Sequence, residues 1–431
     1  MQASEAAAEE AEPALAGATP DRPVASDERI VALDFIRGIA VLGILFPNIV
    51  AHGDAILSYF WPPNLPGGAT QADKAVWLFQ LVLIDGKFRG LFTLLFGAGM
   101  MLFMERAWAR GSTRWLQARR LLWLAVFGLV HFYFVWTGDI LFLYAVSGLI
   151  ALPMLKWRAL TQLRVGVIWF LTGALLLSVM LGGQAAMENI PQACTNAPTQ
   201  CADARKQWAE SRETARKEIA AMSGPTYRGV LEYRAVEETP QLGQTLAFAV
   251  LETIPLMLIG MALYRMGLFE RRLDRRAMRK WGWIGVIGGA LLTLPIGLIA
   301  YLADFPLALT QFAFNGPVSF LHLPMVLGLA SLLALWAPGA APTWLGSRFV
   351  AAGRMAFSNY LGTSIVMMLV FQGWAGGLYH QFHRPQLFLF VAFGWALMLL
   401  WSKPWLAHFR YGPLEWLWRC LTYGKLFPLR R

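Results

Sequence analysis

The stretch "RIVALDFIRGIAVLGILFPNIVAHGD" (residues 29–54) decides how the chain is read. It is long and apolar enough to cross a bilayer, which takes about 20 helical residues. Yet it keeps Asp34, Arg37, Asn48 and His52. A charge at mid-bilayer costs about 2.5–3.5 kcal/mol on insertion scales, so ionisable groups within a span face protein or a water-filled cavity. At about 100° per residue, Arg37 and Asn48 fall about 20° apart, with Asp34 and His52 flanking them. The four groups form one polar stripe, and the helix lines something. Two blander readings stand beside this one. Asp34 and Arg37, at i and i+3, pair with each other near the headgroups. Asn48 bonds a neighbouring helix as packing glue.

The rest of the chain agrees with a membrane setting. It is 57% hydrophobic and 15% charged, too little polar surface for a soluble protein of 431 residues. Apolar runs place helices at about 31–51, 87–104, 119–136, 139–156, 162–182, 242–266, 281–302, 314–336, 350–372 and 387–407. The expected fold is an all-α polytopic membrane domain of about ten transmembrane helices over 29–408. A further apolar segment, 75–84, is too short to span and lies along the interface or re-enters. Residues 1–28 are Ala-, Glu- and Pro-rich and read as a disordered cytoplasmic tail without the pattern of a signal peptide.

Charge orients the spans. Arg106, Arg110, Arg114, Arg119, Arg120, Lys156, Arg158, Arg164, the run from Arg265 to Lys280, Arg348 and Lys403 all fall on one side. By the positive-inside rule that side is cytoplasmic, together with both termini. The net charge of +11 therefore records loop placement, and no nucleic-acid motif accompanies it. The long loop 183–241 is then periplasmic. It holds Cys194 and Cys201, which form a disulfide or stay as two free thiols. Residues 409–431 form a cytoplasmic, aromatic, amphipathic segment suited to the interface.

Several polar groups reach similar depth in the outer half. His131 sits about five residues from the outer end of the third helix, and Asp139 opens the fourth after a tight Thr-Gly turn. A carboxylate beside an imidazole fixes its tautomer and supports general-base work, and an amide such as Asn48 can stabilise an oxyanion. His52, Lys87, Arg89, Glu252, His322 and Asn359 are further pocket candidates. His380, His383 and His408 read as solvated. There is no phosphate-cradling Gly loop and no HExxH, GxSxG or paired CxxC, and no metal site is expected. No pair of matching halves with broken helices stands out, which counts against a transporter.

"LDFIRGIAVLGILFPN" (33–48), "KFRGLFTLLFGAG" (87–99), "GLVHFYFVWTGDILFLYAVSGLI" (128–150), "GRMAFSNYL" (353–361) and "FRYGPLEWLWRCLTYG" (409–424) together resemble the YeiB family of bacterial membrane proteins. The opening motif also resembles heparan-α-glucosaminide N-acetyltransferases and, more distantly, the ten-helix acyltransferase-3 proteins. That resemblance implies acyl transfer from cytoplasmic acyl-CoA, in the first instance acetyl-CoA, to an acceptor across the bacterial inner membrane. The acceptor would be a carbohydrate, a lipid-linked molecule or another small molecule. Asp34 and Arg37 match the relatives' LDxxRG signature and Asn48 an active-site Asn. The relatives' catalytic His lies in the loop after the first helix, where this chain has none, since His52 comes too early. The base is therefore sought in His131, supported by Asp139. Arg37, Arg120 and Arg354, with Asp34, are placed to hold CoA phosphates at the inner mouth, although Arg120 also satisfies ordinary loop bias. Glu415 and Arg419 could close that mouth. A transporter or flippase using the same stripe is the alternative, and a scaffold presenting loop 183–241 is a third. A homodimer is left open.

Overall fold

The computed structural model describes residues 30–431, and the tail read at 1–28 lies outside the described residues. Among the described residues everything regular is helical, with one isolated bridge between Phe409 and Arg430. The first half contains α1 (Val31–Gly53), α2 (Gln71–Leu83), α3 (Lys87–Ala109), α4 (Arg114–Phe134), α5 (Leu141–Ala151), α6 (Ala159–Asn189) and α7 (Pro198–Met222). The second half begins with α8 (Thr245–Arg265), α9 (Arg275–Leu302) and α10 (Leu307–Ala340). It ends with α11 (Trp344–Arg354), α12 (Ala356–Phe371), α13 (Arg384–His408) and α14 (Pro413–Tyr423).

The protein is an all-α, multi-pass membrane protein. Six helices, α1, α6, α8, α9, α10 and α13, are long and apolar enough to cross a bilayer, and α11 with α12 makes a seventh if that bent pair is one span. The sequence reading counts about ten. Its segments at 87–104 and 119–136 are the helices α3 and α4, whereas 139–156 resolves into an 11-residue α5 and a 3-10 turn, Leu152–Lys156. Segment 75–84 lies in the 13-residue α2, whose Trp77 and Leu81 are fully buried.

The span expected as one helix at 350–372 is broken. Helices α11 and α12 meet at 86°. Hydropathy does not register this because the cause is tertiary. A Cβ on Gly353 would stand 1.8 Å from the carbonyl oxygen of Asp34, so α11 is held backbone-to-backbone against α1. The N–H groups left open at the start of α12 are then satisfied from elsewhere. Phe357 and Ser358 donate to Glu415 Oε1 at 2.8 and 3.0 Å, which is how a helix start inside a bundle is tolerated. The chain thus carries a discontinuous helix that its hydropathy hides, and such helices occur at transporter substrate sites.

The fold has two unlike ends. The basic end gathers Asp34, Arg37, Arg106, Arg120 and Arg354 under α14. The opposite end carries a helical cap, formed by α7 and the short helix Tyr227–Tyr233, and a disulfide from Cys194 to Cys201 ties the first turn of α7 to the segment before it. Cys420 is a free, buried thiol.

Candidate functional site

His131 is the fourth residue from the end of α4, and the turn through Thr137 and Gly138 swings Asp139 back to it. His131 Nδ1 lies 2.8 Å from Asp139 Oδ1. Asp139 Oδ2 accepts from the Phe142 N–H at 2.7 Å, so the same carboxylate caps α5. A carboxylate at Nδ1 favours the Nδ1–H tautomer and leaves Nε2 as a bare acceptor. Nε2 is buried and has no hydrogen-bond partner among the described residues. His131 itself is fully buried.

Two aromatic residues frame the imidazole. The Tyr360 ring lies 5.2 Å from it, and Trp136 meets it edge-on at 6.3 Å. Trp136 also stacks on His52 at 3.9 Å and donates to the Ala51 carbonyl, which joins the end of α4 to the end of α1. The Tyr360 hydroxyl donates to Gly138 O at 3.2 Å and accepts from the Ile140 N–H at 3.3 Å. The phenol is thus tied to the turn that positions Asp139.

Asn48 and His52 line a small chamber with Asn359, Tyr360, Thr363 and Ser364. Its volume of about 10 Å³ is close to that of one water. Asn48 borders this chamber. The Asn359 amide nitrogen donates to Ala352 O and Ser402 Oγ, each at 3.1 Å, and its oxygen accepts from Trp401 Nε1 at 2.7 Å. Asn359 pins α12 to α11 and α13, and its polar atoms are spent on that.

On the other side of Tyr360 a cavity of about 320 Å³ runs to the basic end. Its deep walls are apolar and aromatic, with Phe92, Phe96, Leu141 and Tyr144, and its mouth carries Arg37, Arg106, Arg120, Arg354 and Arg419 with Asp34 and Glu415. Arg37 pairs with Asp34 at 3.0 Å. The Arg120 guanidinium is sandwiched between the rings of Phe103 (4.6 Å) and Trp418 (4.3 Å). Trp418 Nε1 also donates to Arg120 O at 2.8 Å, so α14 is fastened across the mouth. The candidates Asp34, Arg37, Arg120 and Arg354 therefore meet around one cavity. Arg106 joins them, and only its place on the basic side of the chain hinted at this.

Lys87, Arg89, Glu252 and His322 gather separately. Arg89 pairs with Glu252 at 2.7 Å, and Lys87 Nζ donates to Leu81 O. His322 packs on Gly86, where a Cβ would strike the imidazole at 2.3 Å and where φ is +75°. The link to the main cavity runs through Tyr144, whose hydroxyl meets Thr93 Oγ1 at 2.6 Å.

His380 and His383 are not simply solvated, contrary to the sequence reading. His380 Nδ1 lies 2.9 Å from Asp54 Oδ2, and His383 Nδ1 lies 2.7 Å from Asp73 Oδ2. Their partners are 326 and 310 residues away in sequence, so no local pattern announces them. His408 is exposed; its Nδ1 lies 3.1 Å from the Pro404 carbonyl, and its own carbonyl accepts from the Arg431 N–H at 3.2 Å.

Comparison with known proteins gives a family without an assigned activity. A family model described as "Protein of unknown function (DUF418)" matches residues 263–425. The chain is similar to the "Uncharacterized protein YeiB" of Escherichia coli (strain K12), 33% identical over 406 residues, which is 93% of this chain and 98% of the relative. It is also similar to the "Uncharacterized protein YxaH" of Bacillus subtilis (strain 168), 30% identical over 423 residues, covering 95% and 98%. No solved structure matches.

Proposed function

We propose that this chain, which belongs to the YeiB family of DUF418 membrane proteins, is a membrane acyltransferase that passes an acyl group from acyl-CoA to an acceptor hydroxyl or amine. The observation that carries the reading is the placement of Tyr360. It ends the arginine-mouthed cavity on one side, and its ring lies 5.2 Å from the carboxylate-held imidazole of His131. A donor with a phosphate-rich head and a long, thin arm suits a cavity that is cationic at its mouth and apolar in its depth. With the basic end facing the cytoplasm of a bacterial inner membrane, acyl-CoA enters there and the acceptor arrives from the capped end.

The chemistry follows from the groups present. Once Tyr360 swings aside, His131 Nε2 takes the proton from the acceptor hydroxyl or amine, and Asp139 stabilises the imidazolium. The acceptor oxygen or nitrogen bonds to the thioester carbon, and the Asn48 amide donates to the resulting oxyanion. Collapse breaks the carbon–sulfur bond, and the CoA thiolate recovers the proton from His131. The products are the acylated acceptor and CoA thiol.

The test is binding and turnover of labelled acetyl-CoA by detergent-purified protein, comparing wild type with His131→Ala. Binding by both, with CoA release by wild type alone, is the expected result. Silence at millimolar acetyl-CoA and at longer acyl-CoAs would remove the reading. The broken span α11–α12, whose break borders the cavity, favours transport as the second reading, because discontinuous helices form substrate sites in transporters. Counterflow of a small acid in proteoliposomes without any acyl donor would select it.

A further inference from the structure

Nothing at the capped end takes part in the chemistry above, yet both helices that carry the imidazoles, α1 and α4, end against it. Tyr227 donates to Phe134 O, and Arg234 donates to Tyr133 O at 3.1 Å and Val135 O at 2.9 Å, all at the end of α4. A strap, residues 372–383, crosses the end of α1. There the His380 N–H donates to Gly53 O at 2.7 Å, one residue beyond His52. The strap also touches the cap, since the Gly373 N–H donates to Met222 O at 2.8 Å and Tyr379 donates to Glu218 Oε1 at 3.2 Å.

Three features separate this strap from an ordinary packed loop. Its fastenings place an imidazole on the strap and a carboxylate on the bundle. Asp54 and Asp73 are almost fully buried, while the imidazoles of His380 and His383 are 27% and 32% exposed. Its first turn holds Gly373, Gly376 and Gly377, the last at φ +71°, which supplies a hinge. His380 sits in the left-handed region at φ +56°, a strained state that persists only while surrounding contacts enforce it. Beyond the second fastening the chain is fixed again, because buried Arg384 donates to Ser58 O, Tyr59 O and Gln80 Oε1.

We infer that the strap 372–383 is the gate through which the second substrate reaches the chamber of Asn48 and His52 from the capped end, latched shut by Asp54–His380 and Asp73–His383, and that it loosens as pH at that end rises. What passes the gate rests on the acyl-transfer reading; the opening itself does not.

The charges around the latch set the sign. Asp54 faces Ser58, His380, Tyr379, Glu218 and the buried cation Arg384, while Asp73 faces Thr70, His383 and Arg384. Glu218 faces Glu238, Tyr379, Asp54, Tyr233 and Arg234. Burial works against a charged Asp73, but bonds from Thr70, Arg384 and His383 hold its carboxyl below the usual range, so that half of the pair stays anionic. The bond to Asp54 raises His380 above its ordinary value despite partial burial. Its attraction is therefore complete in mild acid and fades as pH climbs through the raised value. Burial, with the neighbouring Glu238, pushes Glu218 up to about 8. Above that it gains a charge beside Asp54 and Glu238. That charge does not release the strap, because Tyr379 donates to Glu218 and a carboxylate accepts more strongly than the acid, so the fading attraction of His380 sets the sign.

The experiment uses full-length protein in nanodiscs of phosphatidylethanolamine and phosphatidylglycerol, with Cys420→Ser as background and Ser364→Cys as a reporter inside the chamber. A charged methanethiosulfonate reagent is applied between pH 6 and pH 9. Rates are corrected for thiolate fraction with Leu426→Cys, an exposed control in the same background. The expected result is a corrected rate at least tenfold faster at pH 9 than at pH 6. His380→Asn with His383→Asn should be fast throughout, and His380→Lys, which keeps a cation on the strap, should be slow throughout. If the double variant does not fold, the wild-type pH series and His380→Lys decide alone. A corrected rate that is flat with pH, or a folded double variant as slow as wild type, overturns the gate. Because no acyl donor is present, a catalytic failure leaves this result standing, and intact turnover with flat labelling removes only the gate.

Discussion

Substituting Asp139 separates what its carboxylate does for the fold from what it does for His131. In Asp139→Ala the His131 Nδ1 contact at 2.8 Å and the Phe142 N–H contact at 2.7 Å both disappear. A buried bond to a charged acceptor contributes about 1.5–3 kcal/mol, and a helix cap contributes about 1 kcal/mol. Together the loss is about 3 kcal/mol, and two donors are left dry. Asp139→Asn is subtler. Its carbonyl oxygen still accepts from Phe142, but its amide presents a donor to Nδ1. The imidazole must then adopt the Nε2–H tautomer, and the lone pair that would take the acceptor's proton is gone. Stability should fall by about 1 kcal/mol, the net worth of one polar contact. Turnover should fall by about 10²–10⁴, the usual yield of a positioned general base. Thermal unfolding in detergent and CoA release under single-turnover conditions measure the two quantities separately. The expected order of stability is wild type, Asn, Ala, with both variants nearly inactive. If Asp139→Asn retained wild-type turnover, His131 would not act through Nε2, and the assignment of the base would fall.

Arg120→Ala should weaken acyl-CoA binding about tenfold, the equivalent of roughly 1.4 kcal/mol for one lost charge-assisted contact, and should flatten the salt dependence of Kd measured by titration. Gly353→Val should abolish recovery of monodisperse protein in size-exclusion chromatography, because even its Cβ falls 1.8 Å from Asp34 O and overpacking at such a crossing costs at least about 1–3 kcal/mol. Replacing Cys194 and Cys201 by Ser should leave CoA release unchanged while the cap becomes more sensitive to limited proteolysis, consistent with the roughly 2–4 kcal/mol that a disulfide typically contributes.

What the sequence discloses depends on how far apart the interacting groups lie. The membrane class is legible because a run of about 20 apolar residues has few other uses, but the number of spans is not, since six or seven helices meet that length where the sequence shows about ten runs. The His131–Asp139 pair is legible because eight residues and a Thr-Gly turn separate its members. The arginines of the mouth are legible as a group through loop bias, although nothing in that bias tells a cavity from a headgroup region. The pairs Asp54–His380 and Asp73–His383 leave no such trace, and an isolated outer-loop His reads as solvated until its partner is seen. The break between α11 and α12 was hidden for a related reason. Hydropathy averages along the chain, whereas the break depends on Asp34 and Glu415, which lie on other helices.

The polar stripe on α1 also turns out to serve two compartments. Asp34 and Arg37 face the large cavity, while Asn48 and His52 face the small chamber. Tyr360 is the residue that borders both. Its hydroxyl is bonded to Gly138 O and the Ile140 N–H, the residues on either side of Asp139. Swinging the Tyr360 ring aside to join the compartments would break those two bonds and disturb the turn that holds Asp139 against His131. A ligand that displaced this ring from the basic end would thereby act on the imidazole pair. The stripe crosses the bilayer on one helix, but its continuity is conditional, and the condition is the position of a single phenol.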